Sequence, residues 1–279
     1  MPWLTRNAEL GRRLPLSLWR KISISSWRVT HDSSIVAVLE LDAEPALAYL
    51  KSIAKPGEPR PTITHYAGWV LARVFALHPE INCMYRWGNL YPRKTADICF
   101  LVASGDGKAK GDEDLSGIVV KAADQSGVAG IARELDERVK TIKRGDDVTF
   151  RGIKQYLSWL PNFVRIPLVN LADFIMHGLN LWSPILGLRR DAFGSAMLTS
   201  VGSLGIEFAI ARIYPQSRNS VILSVGAAVE KPVVRNGQIV VGKVIKLIFT
   251  ADHRVVDGLH AAYLLKSVQT FFESPPKTV

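Results

Sequence analysis

Hydrophobic and polar positions divide this chain into segments of different period. Ser34 to Leu41, SIVAVLEL, is β-branched and predicts a strand, with a helix following over Ala43 to Ile53. Lys55 to Pro61, KPGEPRP, carries three prolines and a glycine and must be a loop. A helix is predicted over Thr64 to Leu77, ending at His78-Pro79 because proline blocks further helical bonding. Tyr85 to Leu90 and Thr95 to Val102 read as strands, Ala103 to Glu113 as a polar glycine-rich loop, and Val128 to Ile142 as a charged helix. Ala196 to Ile206 reads as a strand ending in a glycine turn. Asn236-Gly237 between two β-branched runs predicts a type I′ hairpin, since both residues tolerate positive φ. The hairpin leads into a strand over Val244 to Thr250. A closing helix over Leu259 to Phe272 places Leu259, Ala262, Leu265, Val268 and Phe272 on one face.

Val148 to Arg190 breaks this alternation. It is crowded with Leu, Ile, Phe and Trp, yet its longest stretch without a charged residue, Phe174 to Leu188, is about fifteen residues. Spanning a bilayer takes roughly 20, and Pro161, Pro167 and Pro184 cut the segment into pieces. The expectation is a set of short helices packed on the protein, on a neighbouring subunit, or in a membrane interface flanked by Lys154, Arg165, Arg189 and Arg190.

Composition narrows the partners. The chain has 279 residues, 48% hydrophobic, with a net charge of +10, which favours anionic partners such as an acidic membrane surface or a phosphorylated cofactor. No basic run with interleaved aromatics occurs, so nucleic acid is not expected. Cys83 and Cys99 are too few for a disulfide framework and lack zinc spacing, so a reducing cytoplasm and no metal are expected. The first residues, MPWLTRNAELGRR, lack the apolar core of a signal peptide.

Candidate chemistry gathers where the last strand meets the last helix. His253 follows the strand, and Asp257 and Gly258 precede the helix. Imidazole titrates near neutrality and can accept and return a proton in one turnover. Read alone, His253 is as compatible with a structural role, and Asp257 with a simple N-cap. The whole string decides: His253, three spacers, Asp257 and Gly258, entered from a strand and left by an Ala- and Leu-rich helix. It resembles the HxxxDG signature of the catalytic domain of dihydrolipoyl acyltransferases of 2-oxo acid dehydrogenase complexes, shared with chloramphenicol acetyltransferase. Val221 to Val234, VILSVGAAVEKPVV, Pro79 to Asn82, PEIN, and the basic stretch Arg12 to Arg28 resemble the same family.

The resemblance implies an α/β fold, a two-layer α+β sandwich of the chloramphenicol acetyltransferase type with a mixed sheet flanked by helices. Residues 1–11 would be an N-terminal extension and 12–279 the catalytic domain, interrupted by the insert at about 148–190. It further implies acyl transfer in a ternary complex with His253 as base, Asp257 acting indirectly, and Gly258 allowing close backbone packing. Coenzyme A or its thioester is the implied cofactor, with lipoyl groups on another protein as a further acyl carrier. Family sites lie between subunits of a trimer, so a homotrimer or a multiple of trimers is expected. One departure stands out. Aligning Ser203-Leu204-Gly205 with the family's small-Leu-Gly turn puts Gly202 where a hydroxylated residue normally donates to the oxyanion. Ser200 and Ser203 are the neighbouring hydroxyls. The 279 residues contain no lipoyl-type lysine hairpin and no Ala/Pro-rich linker, so a standalone acyltransferase is expected. The alternative is a weakly active assembly protein that keeps the trimeric fold.

Overall fold

The computed structural model describes residues 5–15, 33–103, 115–144, 161–183 and 189–276. A mixed sheet runs through the protein in the order β2 (Ser34–Asp42), β11 (Gln238–Asp252), β9 (Val221–Val225), β8 (Ala196–Ser200), β5 (Ile98–Ala103), β6 (Leu115–Val120). β9 lies parallel to β8 and β8 parallel to β5, while the other pairs in that order are antiparallel. β10 (Val229–Arg235) continues the line of β9 along β11.

β11 is the spine. Its fifteen residues pair with β2 on one side and with β9 and β10 on the other. The turn that starts it is the predicted one, with Asn236 and Gly237 at φ 51° and 77°. Val229 pairs with Val244 but Val225 pairs with Leu247, so the β9–β10 side holds one more residue than β11 between these pairs. That extra residue is a β-bulge at 226–228.

One face of the sheet carries the core. Leu223, Val225, Leu247, Phe249 and Ala251 point toward helices α1 (Glu44–Ser52), α2 (Ile63–Leu77), α3 (Ala123–Arg144) and α5 (Gly258–Glu273). Tyr66, Val70, Leu71, Val74 and Phe75 of α2 are fully buried, each contributing about 1.5–3 kcal/mol of apolar transfer. The Tyr66 hydroxyl donates to the carbonyl of Phe271 at 2.6 Å, tying α2 to α5. On the other face, Cys99, Met197 and Ile222 are covered by Phe193, Ala211 and Ile213.

Several segments differ from the sequence reading. The expected strand over Tyr85 to Leu90 is a hairpin of β3 (Cys83–Arg86) and β4 (Asn89–Pro92), because Trp87 and Gly88 adopt φ 51° and 71°. The strand expected from Thr95 begins only at Ile98. Before it, Asp97 is held by Ser195, whose backbone N–H donates to the Asp97 carbonyl and whose hydroxyl accepts from the Asp97 N–H. In α3, Gly127 at φ 65°, ψ 163° interrupts the helix just before the expected start at Val128. The strand from Ala196 stops at Ser200 rather than reaching Ile206, since Gly202–Leu204 forms a 3-10 turn closed by Gly205 at φ 75°.

The N-terminal residues are built into the fold rather than extending from it. β1 (Thr5–Arg6) pairs with β7 (Leu181–Trp182) at the end of the insert, and Asn7 and Ala8 are buried. The basic stretch Arg12 to Arg28 lies outside the described residues beyond Pro15, and residues 12–15 are neither helix nor strand. Of the insert, the described part is helix α4 (Asn162–Asp173), a π-helical turn over Phe174–Gly178, and β7. The loop expected over Ala103 to Glu113 also lies outside the described residues, except Ala103 at the end of β5.

Candidate active site

His253 is placed by the last paired residues of β11. Asp252 donates its N–H to Ser220 O at 2.9 Å, and His253 donates to Ser33 O at 2.8 Å. The chain then folds over its own end, with the N–H groups of Val255 and Val256 both bonded to Asp252 O at 2.8 Å. Both valines are buried, which anchors the turn. Val256 O returns to the imidazole, 3.0 Å from Nδ1 of His253. A carbonyl only accepts, so the neutral ring carries its proton on Nδ1 and its lone pair on Nε2. The turn therefore fixes the orientation and the tautomer of the His253 ring.

Asp257 serves the helix. Its Oδ1 accepts from the N–H groups of Leu259 at 3.1 Å and His260 at 3.0 Å, capping α5, and lies 2.6 Å from His260 Nδ1. A Cβ built at Gly258 meets nothing within 4 Å among the described residues.

The sequence reading missed the residues flanking His253. Arg254 grips the Asp252 carboxylate by two nitrogens, Nε at 2.9 Å and a terminal nitrogen at 2.6 Å, and its backbone N–H also donates to Oδ1 at 3.0 Å. Ser33 Oγ donates to the same carboxylate at 3.1 Å. The Arg254 guanidinium stacks 4.5 Å from the Tyr85 ring. Burial opposes its charge, but the Asp252 carboxylate outweighs that and holds the Arg254 pKa above its ordinary value. The available signal was the acid–His–base triplet itself, in which a carboxylate and a guanidinium stand two residues apart.

Neither serine candidate meets His253 within one chain. Ser200 pairs with Val225, and Val225 with Leu247, six residues before His253 on the antiparallel spine. At about 3.3 Å per residue the two lie about 20 Å apart along the strands. Ser203 Oγ donates to Ser200 O at 3.0 Å. Gly202 faces the bulge, where a Cβ would stand 2.4 Å from Gly226 O and 2.8 Å from Ala227 N.

His65 and His78 are structural in geometry. His65 Nδ1 accepts from Thr62 N–H at 3.1 Å, closing a capping box at the start of α2, and burial lowers its pKa to about 4. His78 lies 3.0 Å from Glu80 and 3.1 Å from Ser267 Oγ. That serine–histidine–carboxylate line lacks oxyanion donors, because Ser267 sits inside α5 where backbone N–H groups are spent on the helix. Burial pushes the Cys99 thiol up to about 12, so it is no nucleophile. Among the described residues no cluster of three metal-ligating side chains occurs.

Residues 192–279, which contain β8, the spine, His253 and α5, match the family model of the 2-oxoacid dehydrogenases acyltransferase (catalytic domain). The C-terminal third of the chain is similar to that family. Over 88 residues it is 40% identical to the lipoamide acyltransferase component of the branched-chain alpha-keto acid dehydrogenase complex of Pseudomonas putida, covering 31% of this chain and 20% of that protein. Over 275 residues it is 20% identical to the dihydrolipoyllysine-residue acetyltransferase component of the Bacillus subtilis acetoin cleaving system, covering 96% of this chain and 57% of that protein. The chain thus spans less than two thirds of the length of either relative.

Solved acetyltransferase structures share the fold of most of the chain. A probable dihydrolipoamide acetyltransferase from Listeria monocytogenes superposes with TM-score 0.64 at 19% identity, covering 96% of this chain and 98% of that one. The Azotobacter vinelandii dihydrolipoamide acetyltransferase, studied for the role of a serine, a histidine and an asparagine in its catalytic mechanism, gives 0.62 at 18% identity over 86% and 82%. A chloramphenicol acetyltransferase gives 0.51 at 13% identity over 94% and 100%. The expected mixed sheet flanked by helices is therefore the observed one.

Proposed function

We propose that this protein is an acyltransferase that moves an acyl group between coenzyme A and a thiol or hydroxyl acceptor. The carrying observation is the oriented imidazole of His253, whose Nδ1 faces Val256 O at 3.0 Å, with Nε2 as the proposed base. Nε2 takes the proton of the attacking thiol as its sulfur adds to the thioester carbonyl. The tetrahedral intermediate collapses, the carbon–sulfur bond to coenzyme A breaks, and the leaving thiolate recovers the proton from the imidazolium. Asp257 holds the start of α5, and the Asp252–Arg254 pair fixes the strand end; both are positioning residues. Lipoyl groups carried on another protein are the proposed acyl carriers, in keeping with the names of the curated relatives.

The site is proposed to be shared between chains. Ser200 and the 202–205 turn lie about 20 Å from His253 along the strands. A neighbour in a homotrimer, or in a multiple of trimers, would bring its own turn to this histidine. The free, buried Cys83 and Cys99 fit a reducing, cytoplasmic setting.

A second reading, a weakly active trimeric scaffold, is favoured by Gly202, which leaves the usual oxyanion hydroxyl without a side chain. Loss of one such donor typically costs about 100- to 1,000-fold in rate. Turnover of acetyl-CoA with dihydrolipoamide separates the two readings: transfer that depends on His253 supports the enzyme, and its absence with a range of acyl-CoA donors supports the scaffold.

A further inference from the structure

Helix α4 is turned inside out. Arg165, Val169, Ala172, Asp173 and Met176, spaced as one helical face, are its more covered positions. Asp173 on that face is bonded to His177 Nδ1 at 2.9 Å and to the Arg218 guanidinium. The outward face carries Phe163 (77% exposed), Ile166 (58%), Leu168, Leu171 and Phe174. An ordinary surface helix puts its charges outward and its apolar stripe inward. This one does the reverse, and an apolar face of this extent marks an interaction surface.

The apolar face runs into a cationic cavity. Trp87, 60% exposed, packs edge-on against Phe174 at 5.7 Å, and its indole N–H donates to Gly178 O at 2.5 Å. Arg86 Nε donates to the same carbonyl at 2.6 Å. Beside it opens a cavity of about 340 Å³ lined by Arg6, Arg86, Leu10, Tyr91, Leu179 and Leu181, among others. Among the described residues neither Arg6 nor Arg86 is paired with a carboxylate. Two uncompensated guanidiniums at one apolar cavity suit a phosphate oxyanion.

We infer that this face docks on an anionic phospholipid surface: the outward side of α4 and Trp87 enter the acyl boundary, and Arg6 and Arg86 take a headgroup phosphate. Aliphatic and aromatic side chains on one side with arginines at the rim are the pattern of an interfacial helix. A second copy is a poorer occupant of this face, because pairing the face with itself would set the Arg6 and Arg86 guanidiniums of both copies toward one another. The contact is peripheral, for no helix among the described residues is long and apolar enough to cross a membrane. The inference does not rest on the acyl-transfer reading.

The test is co-sedimentation of the full chain with vesicles of phosphatidylcholine alone or mixed with phosphatidylglycerol. The protein should bind the anionic vesicles more tightly. Phe163→Ser with Leu171→Ser should weaken binding to both by roughly tenfold or more. Arg6→Gln with Arg86→Gln should abolish the preference for phosphatidylglycerol while leaving the far-ultraviolet circular dichroism and melting midpoint unchanged. Arg86→Lys, which keeps the charge, should retain part of that preference. No binding to anionic vesicles at low salt overturns the inference. So does inorganic phosphate that raises the melting midpoint through Arg6 and Arg86 when vesicles do not bind, which assigns the cavity to a soluble phosphate compound. A fall in particle mass on Phe163→Ser with vesicle binding intact also overturns it and assigns the face to a second copy. Acyl-transfer turnover, measured in parallel, should be unchanged in these variants.

Discussion

Gly202 and Gly226 meet backbone to backbone: the Cβ that Gly202 lacks would lie 2.4 Å from the carbonyl oxygen of Gly226. The 201–207 turn is bonded onto the bulge beside the spine, through Val201 N to Val225 O at 3.0 Å and Ala227 N to Ile206 O at 2.9 Å. The missing hydroxyl at Gly202 is thus a consequence of packing. The clash is with main chain, which cannot swing aside as a side-chain end can.

Gly202→Ser should therefore destabilise the fold by about 1–3 kcal/mol, the usual cost of overpacking, and should not raise acyl-transfer turnover. Urea unfolding beside a turnover assay checks both halves. A variant as stable as the parent and faster in turnover would show that the turn can relax to accept the hydroxyl.

The separation of Ser200 from His253 predicts assembly. Light scattering should give a particle mass that is a multiple of three chains. A monomer, or a dimer alone, would remove the shared site.

Much of the fold was legible because its signals are local. The Asn236-Gly237 turn, the β-branched run of the spine and the HxxxDG string each follow from a few neighbouring residues. The hairpin at Trp87-Gly88 was not, because tryptophan gives no sign that it will take a positive φ. The early end of β8 depends on the bulge at Gly226, some twenty residues on, and no local pattern reports it. At the candidate site, the N-cap position of Asp257 was visible from its place before the helix. The Asp252–Arg254 grip was hidden because its third partner, Ser33, comes from the far end of the chain.

Arg254→Ala should destabilise the protein by up to about 3 kcal/mol, because the removal leaves the Asp252 carboxylate, only 10% exposed, without its cation. Arg254→Lys should restore little, since an ammonium cannot make the two-nitrogen grip. Turnover should fall in both variants at constant pKa of the pH profile, as befits a residue that positions His253. Chemical unfolding and a pH–rate series provide the check.

Acid sensitivity should arise at His65. Its folded pKa, about 4, lies below the unfolded value of 6.5, so the unfolded chain binds the extra proton in the interval between them. Stability is then full above about pH 6.5 and is lost as pH falls toward 4, by about 2 kcal/mol after allowing for the ring's partial exposure. His65→Gln keeps the capping-box acceptor and cannot be protonated, so its stability should vary less over this interval. Melting midpoints of both proteins between pH 7 and 4 decide the matter.

The most direct test of the account is turnover of the His253→Ala variant with an acyl-CoA donor and dihydrolipoamide. Loss of a general base removes about 100- to 10,000-fold in rate. The account predicts a fall of that size with particle mass and melting midpoint unchanged, because the His253 ring is only partly buried and β11 remains paired on both sides. Turnover at the parent rate in a correctly assembled variant would contradict it.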